Sequence, residues 1–216
     1  VVQKNAIGEI VTVDDDEINP SIPGDDFYLT IDKSYQLILE EELRKGVDEY
    51  GAVSATGVIM DPNTGEVLAL ANIDDFNPNE YWKYNDFQRR NRAITDTYEP
   101  GSTFKSFTIA SLLDQNLCRL NEKLNLENGK YKYRNVNIRD THPFKSLNVT
   151  EILEQSSNIG VAKLVQRIDD EKYFKYLRGF GFGNSTSLTL PGETAGKLRK
   201  PNEWSKVSKT YLSFGY

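Results

Sequence analysis

Apolar residues recur along this chain in two distinct rhythms. After Asp32, the residues Tyr35, Ile38, Leu39, Leu43 and Val47 follow at spacings of mostly three or four, the period of one helix face, and Asp32 is placed to cap that helix. Just before it, Phe27-Tyr28-Leu29-Thr30-Ile31 reads as a short strand. Residues 53–60 and 66–72 are two more β-like runs around Asp61-Pro62-Asn63-Thr64-Gly65, a turn whose Pro and Gly predict a hairpin. Val58-Ile59-Met60 and residues 67–71 are apolar at consecutive positions, so the hairpin is expected to be central and covered on both faces.

Beyond the hairpin, residues 74–92 have no steady period and are expected to be loop with short helical pieces. Phe104, Phe107, Ala110, Leu113 and Leu117 then define a helix face, expected to be buried, that begins at about Gly101. Residues 121–145 form a β-rich excursion through Tyr131, Tyr133 and Val136. Asn148 and Glu151 have the N-cap and N3 chemistry of a capping box, predicting a helix from Val149 to about Gln155. Ser156-Ser157-Asn158 breaks it, and a second helix follows with Val161, Leu164, Val165 and Ile168. Residues 1–24 combine the β-like Glu9-Ile10-Val11-Thr12-Val13 with an acidic run, Asp14 to Glu17, and with Pro20, Pro23 and Gly24. They read as a connecting arm.

Composition bounds what these elements can be. The chain has 216 residues, 38% hydrophobic and 27% charged, enough to bury about 70% of its unfolded surface around a core without disulfides or metal. One domain, or one with a small appendage, is expected. A net charge of −6, with no basic cluster denser than Lys197-Leu198-Arg199-Lys200, removes the attraction to phosphate backbones, so nucleic acid is not an expected partner. The longest wholly apolar stretch, Val67 to Ala71, is far too short to span a membrane, and Val1 opens no signal peptide. An anchor or export signal is therefore expected outside this chain. Cys118 is alone and cannot form an internal disulfide; His142 is also alone, in the turn-like Thr141-His142-Pro143. A histidine-based metal site or Ser-His-Asp triad would need that one surface residue, and neither metal nor cofactor is expected.

The candidate chemistry lies in serines. Ser102 is the only serine with a lysine three residues on, Lys105. On a helix these two point the same way, and Phe104 and Phe107 would desolvate the amine and make it a base for a serine nucleophile. Pro100-Gly101 shapes the approach so that the helix N-terminus can stabilise an oxyanion. The plainer alternative is an N-cap serine beside a solvated lysine. Ser-x-Asn occurs as Ser146-Leu147-Asn148, explained by its cap, and as Ser156-Ser157-Asn158, which interrupts two helices where a polar pair can face a cleft. Gly179-Phe180-Gly181-Phe182-Gly183 lacks the strand-turn-helix setting of a nucleotide loop and reads as a buried turn.

Together, Thr97 to Lys105 and Ser156 to Gly160 resemble the first two active-site motifs of penicillin-binding proteins. The similarity extends to Leu29-Thr30-Ile31-Asp32, to Asp61 through Ala69 and to Leu188 through Glu193. Asn91 to Asp96 and Trp204 to Tyr216 look most like the class B, septal cell-division type. The resemblance implies an α+β transpeptidase fold shared with serine β-lactamases, an antiparallel sheet flanked by helices. It implies a peptidoglycan D,D-transpeptidase in which Ser102 is the nucleophile, Lys105 the base, Ser156 a proton relay and Asn158 a contact to the substrate amide. The implied partners are stem peptides ending in D-Ala-D-Ala, β-lactams and divisome membrane proteins. The implied location is the extracytoplasmic face of the bacterial membrane, through an N-terminal anchoring helix absent from this chain.

The family's third motif, Lys-Thr-Gly on an edge strand, has no match: the only Lys-Thr is Lys209-Thr210, followed by Tyr211. Residues 25–216 are therefore expected to be the N-terminal part of a transpeptidase domain, inactive alone, with its C-terminal strands supplied by the rest of the same protein. Two rivals stay open: a β-lactamase or β-lactam sensor, and a noncatalytic wall or divisome scaffold. Against the lactamase stands the lack of a Glu-x-x-Leu-Asn pattern.

Overall fold

The structure, a computed structural model, describes residues 4–9, 24–186 and 188–216. Most of the expected connecting arm, including residues 10–13 and the acidic run at 14–17, lies outside the described residues. The chain divides into two compact units, one of residues 1–53 and 57–71, the other of residues 54–56 and 72–216.

In the first unit, helix α1 (Lys33–Tyr50) starts where the sequence places it. The Asp32 carboxylate accepts from the N–H groups of Ser34 at 2.8 Å and Tyr35 at 3.1 Å, satisfying donors that have no partner inside the helix. Strands β1 (Ala55–Met60) and β2 (Val67–Ile73) form the expected hairpin. Its turn is closed by Asp61 N–H to Glu66 C=O at 3.0 Å and Gly65 N–H to Asp61 C=O at 2.8 Å. Leu39 and Leu43 of α1 lie on Gly57 of β1 so closely that a Cβ there would stand 2.7 Å from Leu39 Cδ1.

Within the described residues the hairpin has one covered face: Val58 and Met60 are 47% and 54% exposed, while Ala69 and Ala71 are buried. Alternate strand residues face opposite ways, and a run of apolar letters does not reveal which face is covered. Residues 27–31, expected as a strand, form none. Among the described residues the Thr30 hydroxyl, donating to Val67 C=O at 2.6 Å, and the Asp32 N–H, donating to Leu68 C=O at 2.9 Å, tether this stretch, and Phe27, Tyr28 and Leu29 are exposed.

The second unit holds the continuous core. Residues 74–92 carry short helical pieces, as expected: a 3-10 turn at Pro78–Lys83 and α2 (Asp86–Arg89), followed by α3 (Arg92–Thr95). Then come a 3-10 turn at Gly101–Phe104 and α4 (Lys105–Asp114). Strand β3 (Lys123–Asn125) pairs antiparallel with β6 (Ser146–Asn148), and β4 (Lys130–Tyr133) with β5 (Val136–Arg139). Helices α5 (Val149–Glu154), α6 (Asn158–Leu164), α7 (Asp170–Gly179) and α8 (Ser208–Leu212) complete it. Ile109, Leu112, Ile152, Ile159, Leu164, Tyr173 and Leu177 are all essentially inaccessible. The capping box is present in full, Asn148 accepting from Glu151 N–H at 2.9 Å and Glu151 accepting from Asn148 N–H at 2.7 Å.

The predicted face of α4 needs correction. Ala110 is exposed and Leu117 lies beyond the helix end, whereas Lys105, Thr108 and Ser111 are buried. Their polar atoms are matched internally, as when Ser111 Oγ donates to Phe107 C=O at 2.8 Å, so burial follows hydrogen bonding as well as hydropathy. The Gly179–Gly183 turn is largely exposed rather than buried. It serves to aim two rings at α4: Phe182 packs on Phe104 and Phe107 with centroids at 4.7 and 4.9 Å, and Phe180 on Phe107 at 5.2 Å. Lys209-Thr210 lies in α8, where the lysine pairs with Asp170 at 2.6 Å.

Helix α6 approaches α5 through Gly160, where a Cβ would stand 2.6 Å from two Ile152 carbons. Ile152 is fully buried and has nowhere to retreat. Gly160→Ala should therefore destabilise by about 1–3 kcal/mol of overpacking, partly offset by about 1 kcal/mol of helix propensity. Gly179→Ala, with open space around its Cβ, should leave stability unchanged or raise it. Chemical denaturation of both variants checks the contrast.

Candidate active site

Ser102 sits exposed in the 3-10 turn that leads into α4. Gly101, at φ +60°, makes the turn possible. Its N–H donates to Gly215 C=O at 3.2 Å, so one of the free amides expected at this helix start is already engaged. Lys105 is the first residue of α4 and is 2% exposed.

Lys105 and Ser156, 51 residues apart in sequence, are brought together. The Lys105 ammonium nitrogen lies 2.9 Å from Ser156 Oγ and 2.5 Å from Ser156 C=O. Burial pushes the amine down from its ordinary value to about 8, with the negative charge of Asp140 acting in the opposite direction. Ser156 itself is exposed and has φ +54°, a left-handed conformation unfavourable for a side chain with a Cβ. The turn between α5 and α6 therefore leaves Ser156 exposed while both its hydroxyl and its carbonyl reach the buried amine. Asn158 opens α6 rather than lying in the break, and its side-chain amide donates to Arg139 C=O at 3.1 Å. Ser146 ends on β6 at the entrance to α5, the structural role expected of the other Ser-x-Asn.

Asp140 is the residue that sequence reasoning missed. Its two carboxylate oxygens accept from Ser157 Oγ at 2.6 Å and from Ile159 N–H at 3.0 Å. The Ser157 hydroxyl, as N-cap of α6, accepts in turn from Gly160 N–H at 2.9 Å. Thus the carboxylate grips the residues on both sides of Asn158, and a single loop from β5 fixes the whole turn. No local signal marks Asp140, because the bond joins segments 17 and 19 residues apart. His142 is exposed, and among the described residues no cluster of metal-ligating side chains is found.

The arrangement can deprotonate a hydroxyl close to Lys105, pass a proton through Ser156 and hold a polar substrate group at Asn158. The family described as "Penicillin binding protein transpeptidase domain" matches residues 55–216. The chain is 40% identical to the probable peptidoglycan D,D-transpeptidase PenA of Neisseria gonorrhoeae over 217 residues, covering 100% of this chain and 37% of that protein. It is 34% identical to the peptidoglycan D,D-transpeptidase FtsI of Escherichia coli strain K12 over 216 residues, covering 100% of this chain and 36% of that one. Its fold is similar to the crystal structure of a peptidoglycan glycosyltransferase from Burkholderia ambifaria, with TM-score 0.79, 31% identity and coverage of 88% and 56% of the two chains. The apo TP domain of Burkholderia pseudomallei penicillin-binding protein 3 gives TM-score 0.78, 31% identity and coverage of 90% and 54%. The chain spans little more than a third of the length of these curated relatives, 37% and 36%.

Because Asp140 opposes the effect of burial, Asp140→Asn should lower the Lys105 titration further below about 8. NMR titration of selectively labelled lysine side chains measures this directly. An unchanged or raised value in the variant would show that Asp140 acts on the turn and not on the charge.

Proposed function

The chain belongs to the penicillin-binding protein transpeptidase family, with the α+β fold of its transpeptidase domains, and on that premise we propose that it carries the acylation centre of a peptidoglycan D,D-transpeptidase. Residues 25–216 are assigned to the transpeptidase domain and residues 1–24 to its arm. The substrate is a stem peptide ending in D-Ala-D-Ala. The role is septal wall synthesis with divisome membrane proteins as partners, at the extracytoplasmic face of the membrane. The subtype rests on the resemblance of residues 91–96 and 204–216 to the division type.

The observation that carries the proposal is the Lys105 amine, buried and bonded to Ser156 one helical turn after Ser102. With a titration point at about 8, ~10% of the amine is neutral at pH 7, against ~0.03% at the ordinary lysine value. Neutral Lys105 takes the Ser102 hydroxyl proton as Oγ attacks the carbonyl carbon of the penultimate D-Ala. The tetrahedral intermediate collapses, the peptide C–N bond breaks, and the proton returns through Ser156 to the departing D-Ala amine. An amine from a neighbouring strand then attacks the acyl-serine carbonyl; as the C–O bond to Ser102 breaks, the amine's proton passes by way of Lys105 to Ser102 Oγ, which leaves the cross-link and the free serine. A β-lactam follows the same path, but the leaving nitrogen stays tethered after ring opening and the acyl-enzyme persists.

Labelling the complete protein with benzylpenicillin, followed by peptide mass mapping, should place a stable adduct on Ser102 alone and none on Ser102→Ala. Lys105→Ala should slow acylation by at least ~10²–10⁴-fold. Ser156→Ala and Asn158→Ala should weaken it, and Ser146→Ala should not. Rapid loss of the label would instead indicate a β-lactamase, and no label a noncatalytic scaffold.

A further inference from the structure

One residue of α4 beyond Lys105 has no part in the chemistry and yet is linked, through Ser213 and Gly215, to the nucleophile's turn. Thr108 is fully buried, with Oγ1 2.7 Å from the Tyr173 hydroxyl and 2.9 Å from Ser213 C=O. A third oxygen, Phe104 C=O, lies 3.5 Å away; carbonyls can only accept, so the single Thr108 proton goes to the nearer one, Ser213, and Tyr173 donates to Thr108. Burial raises the Tyr173 phenol well above its ordinary value, which keeps that donor protonated.

From Ser213 the connection returns to the active site in two residues. Ser213 is itself buried and immobilised, its N–H on Lys209 C=O at 3.0 Å and its hydroxyl on Thr210 C=O at 2.6 Å. Gly215 then lies backbone to backbone with Gly101: at φ +92°, a Cβ on it would stand 2.1 Å from Gly101 O and 2.4 Å from Gly101 N. The Gly215 carbonyl holds the Gly101 N–H, and the next residue is Ser102. A closed loop therefore runs from α4 through Thr108, Ser213 and Gly215 back to the turn at the start of the same helix.

We infer that Thr108 and Tyr173 are positioning residues for the nucleophile: they lock the segment Ser213–Tyr216, which in turn fixes the Gly101–Ser102 turn relative to Lys105. The inference rests on the reading of Ser102 as the acylated serine. Its physical force is that attack geometry is steep in distance, and that Thr108→Val, nearly the same shape, leaves the Tyr173 hydroxyl and the Ser213 carbonyl buried without their partner.

In the complete protein, Thr108→Val should reduce the benzylpenicillin acylation rate by about ten- to a hundredfold. The loss should fall on the acylation step and not on initial binding, and Gly101 amide exchange should accelerate in parallel. Thr108→Ser, which restores the hydroxyl, should restore both. Tyr173→Phe keeps the bond from Thr108 to Ser213 and should show a smaller, several-fold loss; it decides the matter if Thr108→Val does not fold. Wild-type acylation rates in Thr108→Val, or in Tyr173→Phe where Thr108→Val does not fold, overturn the inference, as does unchanged Gly101 exchange or failure of Thr108→Ser to rescue. A wild-type protein left unacylated at Ser102 brings down the transpeptidase reading and this inference with it. Acylation of the wild type beside an equally reactive Thr108→Val brings down this inference alone.

Discussion

The structure of the site depends on one contact, the buried Lys105 amine against the hydroxyl and carbonyl of Ser156. Removing an ammonium group from water is costly unless polar atoms replace its hydration. Two oxygens of one residue supply part of that replacement, and the remaining penalty is expressed as the lowered titration point. A lysine left in solvent would be almost wholly protonated near neutrality and of little use as a base. One fully paired with a buried carboxylate would be locked in the charged form. Here Asp140 is near enough to oppose the shift but spends its oxygens on Ser157 and the Ile159 amide, so the amine remains poised between the two.

The surrounding elements can be understood as the means of holding that contact. Ser156 adopts a left-handed backbone conformation, which persists only where neighbours over-determine it. Those neighbours are Asp140 on one side and the close passage of Gly160 over Ile152 on the other. The amine's side is secured by the start of α4, where Phe104 of the preceding turn and Phe107 of the helix pack with Phe182 from the glycine-rich turn. Gly215 permits a backbone approach to Gly101 that any side chain on it would block, and this brings the Gly101–Ser102 turn against the segment following α8.

Local signals in the sequence were sufficient for much of this. Asp32 as a helix cap, the Pro-Asn-Thr-Gly turn of the hairpin and the Asn148–Glu151 capping box each depend on residues within a few positions of one another, and all form. Ser102, Lys105, Ser156 and Asn158 stood out because their spacing is itself a motif; of these the structure brings Lys105 to Ser156, a meeting that periodicity does not predict. What stayed hidden is non-local. Asp140, Thr108 and Gly215 act through partners 17 to 114 residues away. The strand expected at 27–31 and the buried Ala110 failed for a related reason: an apolar letter records a side chain's preference, and only the packed neighbour decides whether that preference is met.

The claim that Lys105 acts as a neutral base is tested most directly by the pH dependence of benzylpenicillin acylation in the complete protein. The rate constant should climb roughly tenfold per pH unit on the acid side and level off above about 8, where the amine has lost its proton. A rate independent of pH between about 6 and 9, or one that falls across that range, would contradict the account.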